Sequence, residues 1–184
     1  RLVKSWDVDD TAEQPVSSSA AVRWMGEILT KGIGEVDSNF RKFRISEALM
    51  NVYKLFWDEF SGWYLEIIKP EYKKPVDRKT FDATLSFFDK LLKIIHPFMP
   101  FITEEIWQLF DERKDGESIM ISRLPEIKKY DRNITGRFEL IKETVTAIRS
   151  IRKERDLNNK DKLILCIRAD EKSADHEFLP VVTR

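Results

Sequence analysis

The chain has 184 residues, and its 42% hydrophobic content is enough for the core of one domain. Its 32 basic residues balance 32 acidic ones, whereas a general nucleic-acid binder is usually more basic. One cysteine and two histidines exclude an internal disulfide and are too few for a structural zinc site. The composition therefore predicts a reducing cytoplasmic location, no metal, and no signal peptide or membrane-spanning run.

The first elements are a linker and two helices. Residues 1–17 read as the end of a helix and a polar linker, after which Ser18 or Ser19 caps a helix that runs to about Phe40. A clearer helix follows over Ile45–Ile68, where apolar residues, among them Leu49 and Tyr53, recur at helical spacing. Pro70 ends it, because proline removes a backbone donor.

The next helices meet at a corner. Leu91–Gln108 reads LLKIIHPFMPFITEEIWQ, and the prolines predict that one helix ends near His96 and another begins near Pro100. Pro97 lies in this hinge, and we expect Phe98 and Phe101 to anchor the corner in the core. Glu104 and Glu105 are expected in the first turn of the new helix, where they suit its dipole.

The last third of the chain is the most basic part. Residues 128–162 contain 11 Lys or Arg and 6 Asp or Glu. A long helix is predicted over Ile134–Arg155, with Phe138, Ile141, Val145, Ile148 and Ile151 on its buried side. Before this helix, Ser118–Arg123 is predicted to be extended. After it, Lys162–Ala169 is predicted to be a strand. We therefore divide the chain into residues 1–17, a bundle at 18–127, and a helix with the start of a small α/β subdomain at 128–184.

Two strings carry a family resemblance. The hinge string is similar to the anticodon-binding domain of class I aminoacyl-tRNA synthetases of the valine, isoleucine and leucine group. Phe56–Pro70, FWDEFSGWYLEIIKP, closely resembles the valyl-tRNA synthetase family, and so do Glu117–Pro125 and Ala147–Leu157. The resemblance implies a mainly α helical bundle that recognises a tRNA anticodon stem-loop.

The resemblance also implies what the chain lacks. The family's two activation signatures, His-Ile-Gly-His and Lys-Met-Ser-Lys-Ser, are absent here, so we expect no catalytic residue and no cofactor in this chain. The longer parent enzyme is expected to attach valine to its tRNA with ATP and Mg²⁺, as a monomer whose catalytic domain contacts this module. The alternatives are the equivalent isoleucyl domain, or a helical protein-interaction module without an RNA role.

Several residues are candidates either for RNA contact or for a purely structural role. Trp24 follows Arg23 at a place where the family has a basic–aromatic pair, which implies an anticodon contact; spacing alone favours the core. We expect Trp57 to be the exposed member of an otherwise core-packing aromatic run. Arg149, Arg152 and Lys153 share one helical face, which suits RNA phosphates or an ion-pair network with Glu143 and Asp156. His96 is read as a helix-ending residue rather than a base.

Overall fold

A computed structural model of the chain describes residues 6–71, 73–158, 161 and 164, and it is mainly α-helical. No helix among the described residues is both long and apolar enough to cross a membrane. The helices are α1 (Val16–Arg41), α2 (Ile45–Lys54), a π-helical segment (Leu55–Tyr64), α3 (Leu65–Ile68), α4 (Arg78–Ile95), α5 (Pro100–Phe110) and α6 (Arg132–Glu154). A 3₁₀ turn covers Ile119–Ile121.

Helix α1 begins two residues before the predicted cap. Pro15 precedes the first turn, and its carbonyl accepts from the Ser19 amide at 2.9 Å, so neither Ser18 nor Ser19 caps the helix as predicted. Proline suits this place because its fixed φ is compatible with a helix start. The residues that α1 buries lie at three- and four-residue steps and form one wall of the core; they include Trp24, Met25, Ile28, Leu29, Ile33 and Val36.

The predicted helix at Ile45–Ile68 is confirmed as one continuous helical run, formed by α2, the π-helical segment and α3. Phe60 and Tyr64 face the core, and the Tyr64 hydroxyl lies 2.8 Å from Thr84 Oγ1 on α4. Burial raises the pKa of Tyr64. Leu49 and Tyr53 share the helical spacing of the apolar residues but are exposed, because their stripe of α2 has no neighbour among the described residues to cover it.

A short parallel pair ties the linker to the start of α4. Strand β1 (Val8–Asp9) pairs with β2 (Val76–Asp77), so part of the predicted linker is ordered as a strand. The buried Asp77 carboxylate caps α4 by accepting from the Thr80 amide at 2.8 Å. The pair therefore fixes where α1 and α4 begin relative to each other.

The corner between α4 and α5 is confirmed, since α4 ends at Ile95 and α5 begins at Pro100. The Thr103 hydroxyl donates to the Met99 carbonyl at 2.8 Å, so the ring of His96 donates through Nδ1 to Thr103 Oγ1 at 2.7 Å. The ring of Phe98 packs against Phe40 with centroids 5.5 Å apart. This bonding supports a structural role for His96.

The expectation for Phe101 is wrong, because its side chain is 90% exposed. Thr103 and Trp107 take the inward side of α5, which turns Phe101 towards solvent. No acidic residue lies in the first turn of α5 either. Glu104 instead accepts from Ser118 Oγ at 2.6 Å and from the Ile119 amide at 3.1 Å, and these hydrogen bonds lower its pKa.

Within the segment predicted to be extended at Ser118–Arg123, Ser118 and Ser122 have extended backbone angles, but Ile119–Ile121 forms a 3₁₀ turn that Glu104 holds against α5. Helix α6 begins at Arg132, close to the predicted start, and buries Phe138 completely. Ile151 was expected on the buried side but is 54% exposed. The strand predicted at Lys162–Ala169 and the helix end predicted before residue 6 lie outside the described residues.

Candidate nucleic-acid interface

Trp24 is a core residue. Its side chain is fully buried, and its ring stacks on Phe138 with centroids 3.8 Å apart and planes at 16°. The ammonium of Lys142 lies 5.3 Å from the centre of the same ring. The structure contradicts the expectation that Trp24 stacks on an RNA base, since neither ring face is open. Arg23, its neighbour, is exposed on the outer side of α1.

Trp57 is exposed, as the sequence indicated. Its side chain is 60% exposed and lies nearly parallel to Tyr53, with ring centroids 6.4 Å apart and planes at 15°. Tyr53 is also exposed, although it shares the helical spacing of the apolar residues. Two neighbouring aromatic rings open to solvent offer the stacking surface that single-stranded nucleic acids use.

The turn between α1 and α2 carries a third exposed ring. Phe43 is 90% exposed and has a φ of 56°, which is unusual for a bulky residue. The amides of Phe43 and Arg44 hold this turn by donating to Phe40 and Asn39 carbonyls at 3.0 and 2.9 Å. Sequence reasoning missed this site, although the string RKFR between two periodic helices was a usable signal.

Basic residues are neighbours of these rings in the sequence. Lys42, Arg44 and Lys54 are exposed, and the neighbouring Arg41 donates to Asp37 at 2.6 Å, which raises its pKa. We name the set Phe43, Arg44, Tyr53, Lys54 and Trp57 the aromatic–basic surface. Its rings can stack on bases while its cations contact phosphates.

The basic residues near the end of α6 have separate roles. The guanidinium of Arg149 lies 5.7 Å from the centre of the Trp63 ring, and Lys153 is exposed. Arg152 donates to the carbonyls of Asn158 at 2.7 Å and Asp161 at 2.9 Å, so it ties the following turn to the helix. The partners of Arg152 are thus main-chain oxygens rather than Glu143 or Asp156.

The structure separates the predicted RNA contacts into two places. Lys142 of α6 bonds Glu59 at 2.6 Å, so α6 lies on the side of the π-helical segment that Glu59 faces. Trp57 lies two residues before Glu59 and is exposed, so it points to a different side of that segment. Arg149 and Lys153 therefore form a second surface, which we name the α6 basic end.

Among residues 6–71, 73–158, 161 and 164, no three His, Cys, Asp or Glu side chains gather where they could hold a metal ion. The hinge residues His96, Pro97 and Pro100 form the corner, where the His96 ring is bonded to Thr103. What the exposed groups can do is stack, donate hydrogen bonds and attract phosphates.

Comparison with known proteins identifies the domain type. A family model described as the anticodon-binding domain of tRNA ligase matches residues 22–167. That range begins in α1 and includes the aromatic–basic surface, the corner and the whole of α6.

Curated relatives agree with the family match. The valine–tRNA ligase of Parabacteroides distasonis is 53% identical over 174 residues, which is 95% of this chain and 20% of the relative. That of Phocaeicola vulgatus is 48% identical over 184 residues, covering 100% of the chain and 21% of the relative. The valine–tRNA ligase of Thermotoga maritima is 30% identical over 176 residues, which is 94% of this chain and 20% of the relative. The chain spans about a fifth of the length of these relatives.

Proposed function

The chain belongs to the anticodon-binding domain family of tRNA ligases, and from this premise we propose that it recognises the anticodon stem-loop of a valine tRNA. The observation that carries the proposal is the aromatic–basic surface within the matched residues. Anticodon loops are single-stranded, so their bases can unstack and lie on exposed protein rings. Phe43, Tyr53 and Trp57 are the rings available for this purpose.

Phosphate contacts complete the proposed interface. Arg44 and Lys54 flank the exposed rings and would contact the backbone of the loop. We propose that Arg149 and Lys153, together with Arg23 on α1, contact the stem, which needs only positive charge and no base recognition. Arg152 acts indirectly in this proposal, because its guanidinium fixes the turn that follows α6.

The remaining proposals concern a longer protein. We propose that this chain is part of a monomeric cytoplasmic valine–tRNA ligase in which valine activation, ATP and Mg²⁺ all belong to a separate catalytic part. The names of the relatives and their fivefold greater length support this. In this proposal the catalytic part docks on an apolar patch formed by exposed side chains at the start of α5 and along it, namely Met99, Phe101, Ile102 and Leu109. This patch also favours the second candidate function, a protein-interaction module.

Binding of RNA hairpins by titration calorimetry tests the proposal. The chain should bind the valine anticodon hairpin more tightly than the isoleucine hairpin or a scrambled loop. Phe43→Ala should weaken cognate binding roughly five- to 150-fold, because stacking contributes about 1–3 kcal/mol per base. Phe101→Ala is a matched control, because both rings are 90% exposed and Phe101 lies in α5, whereas Phe43 lies in the turn between α1 and α2. Equal losses for the two variants, or equal binding of all hairpins, would refute the assigned surface.

Salt dependence tests the α6 basic end. Lys153→Ala should flatten the slope of log affinity against log salt by roughly 0.7–0.9, since one phosphate contact is removed. It should weaken cognate and scrambled hairpins equally, because a phosphate contact does not read sequence. Lys79→Ala on the exposed side of α4 is the control and should leave the slope unchanged. An unchanged slope in Lys153→Ala would remove the α6 basic end from the interface.

A further inference from the structure

A groove of about 340 Å³, lined mainly by residues of polar type, lies between α1, α2 and the segment that leads into α6. That segment crosses α1, where the Asp131 amide donates to Glu27 Oε2 at 2.7 Å. Gly34 lines the groove and has no side chain to fill it. The volume lies near the lower end of the range found for small-ligand sites.

Two asparagine side chains in the groove have amide groups that are available to a ligand. Asn39 comes from α1 and Asn51 from α2, and both are partly buried. Within the part of the chain that the structure describes, neither amide group makes a side-chain hydrogen bond. Each amide supplies both a donor and an acceptor, which is the combination that recognises the edge of a nucleobase. Tyr130 adds a half-buried aromatic ring to the opposite wall.

Two lysines at the groove suit a phosphate-bearing ligand. Lys31 Nζ lies 3.9 Å from the carboxylate of Glu35, and Lys128 Nζ lies 3.3 Å from that of Glu126. Both ion pairs are exposed, and exposed pairs contribute little stability, so a phosphate can replace the carboxylate of Glu126 beside Lys128. The groove also borders the turn of the aromatic–basic surface, because the Asn39 carbonyl accepts from the Arg44 amide at 2.9 Å. A single-stranded RNA that crosses this turn therefore reaches both places.

We infer that the groove binds one unpaired nucleotide of the RNA, with its base between Tyr130 and the amides of Asn39 and Asn51 and its phosphate near Lys128. This inference rests on the proposed function, because it assigns a second contact of the same RNA. The groove lies on the flank of α2 away from Tyr53, so the nucleotide is a different one from those stacked on the exposed rings.

A pair of glycine variants tests the groove without harming the fold. A Cβ at Gly34 would meet only Ile127 Cγ2 at 3.8 Å, and a Cβ at Gly136 would meet nothing within 4 Å. Gly34→Ala and Gly136→Ala should therefore both raise the urea midpoint, because alanine favours a helix more than glycine. Only Gly34→Ala should weaken binding of the valine anticodon hairpin, by roughly fivefold or more, since its methyl group occupies the groove.

A thermodynamic cycle identifies the nucleotide. Asn51→Asp keeps the size of the side chain but replaces its donor with a charge, and should weaken binding roughly tenfold. Hairpins with one abasic position each are then titrated against the native chain and the variant. At one loop position the two changes should be strongly non-additive, which marks the base that Asn51 contacts.

The experiments distinguish failure of the proposed function from failure of the groove assignment alone. If the native chain binds no anticodon hairpin, the proposed function and this inference both fail. If it binds the hairpin while Gly34→Ala binds equally well, or if every abasic position is additive with Asn51→Asp, the groove assignment alone is wrong. Loss of binding in both glycine variants would likewise overturn it, because Gly136 lies outside the groove.

Discussion

The two halves of α6 differ in how deeply their side chains are buried, although apolar residues recur at the same helical spacing in both. Residues 132–142 bury Thr135 and Phe138, and the Lys142 side chain is only 12% exposed. Residues 143–154 bury no side chain, and Ile151 is 54% exposed. Apolar spacing thus shows which side of a helix is apolar, whereas burial requires another element opposite it.

The partner of the first half is formed by two elements. Trp24 of α1 stacks on Phe138, and Glu59 of the π-helical segment bonds Lys142. The second half makes fewer buried contacts, and the guanidinium of Arg149 lies over the ring of Trp63. We therefore expect stability to depend on the first half and RNA affinity on the second.

The largest effect should follow from removing the ring that anchors the first half. Phe138→Ala should lower the free energy of unfolding by about 3–5 kcal/mol, because it leaves a cavity beside Trp24. Urea unfolding followed by circular dichroism measures the change. A loss below about 1 kcal/mol would show that α6 is not fixed through this ring and would abolish the contrast between the halves.

A smaller effect is expected at the ion pair. Lys142→Met keeps the apolar stem beside Trp24 but leaves Glu59 without its partner, and should cost about 1–3 kcal/mol. Combining it with Glu59→Gln should recover part of the loss in the same unfolding assay. Strictly additive single and double variants would mean that the two side chains do not stabilise each other.

Gly136→Ala should stabilise the first half. The added methyl group meets no atom within 4 Å, and alanine in a helix is favoured over glycine by about 0.5–1 kcal/mol. The urea midpoint should therefore rise. A lower midpoint would indicate that this turn of α6 is not a regular helix in solution.

The smallest effect is expected in the second half. Ile151→Ala should change the free energy of unfolding by less than about 0.5 kcal/mol, because the side chain is mostly in solvent. The comparison with Phe138→Ala uses the same assay and the same helix. A loss of 2 kcal/mol or more, on the order of a buried apolar truncation, would reveal a packing partner for the second half.

Sequence reasoning predicted the helices and the proline corner because proline and apolar spacing act locally. It predicted α5 correctly but wrongly expected Phe101 to be buried. Thr103 and Trp107 occupy the inward side of this short helix, and Phe101 therefore faces solvent. It also failed to find Phe43, whose positive φ arises from the tight turn at Arg41–Arg44 rather than from any residue preference. The exposed rings depend on which helix faces lack a neighbour, and a single sequence does not encode this locally.

The stacked Trp24 has an optical consequence. Its indole nitrogen is buried without a hydrogen-bond partner among the described residues, whereas Trp57 is open to water. An indole in an apolar enclosure emits at shorter wavelength than a hydrated one. In a variant that keeps only these two of the five tryptophans, the two rings therefore label different events within one emission spectrum. Unfolding will move the blue component to the red, while a base that stacks on Trp57 will quench the red component and leave the blue one in place.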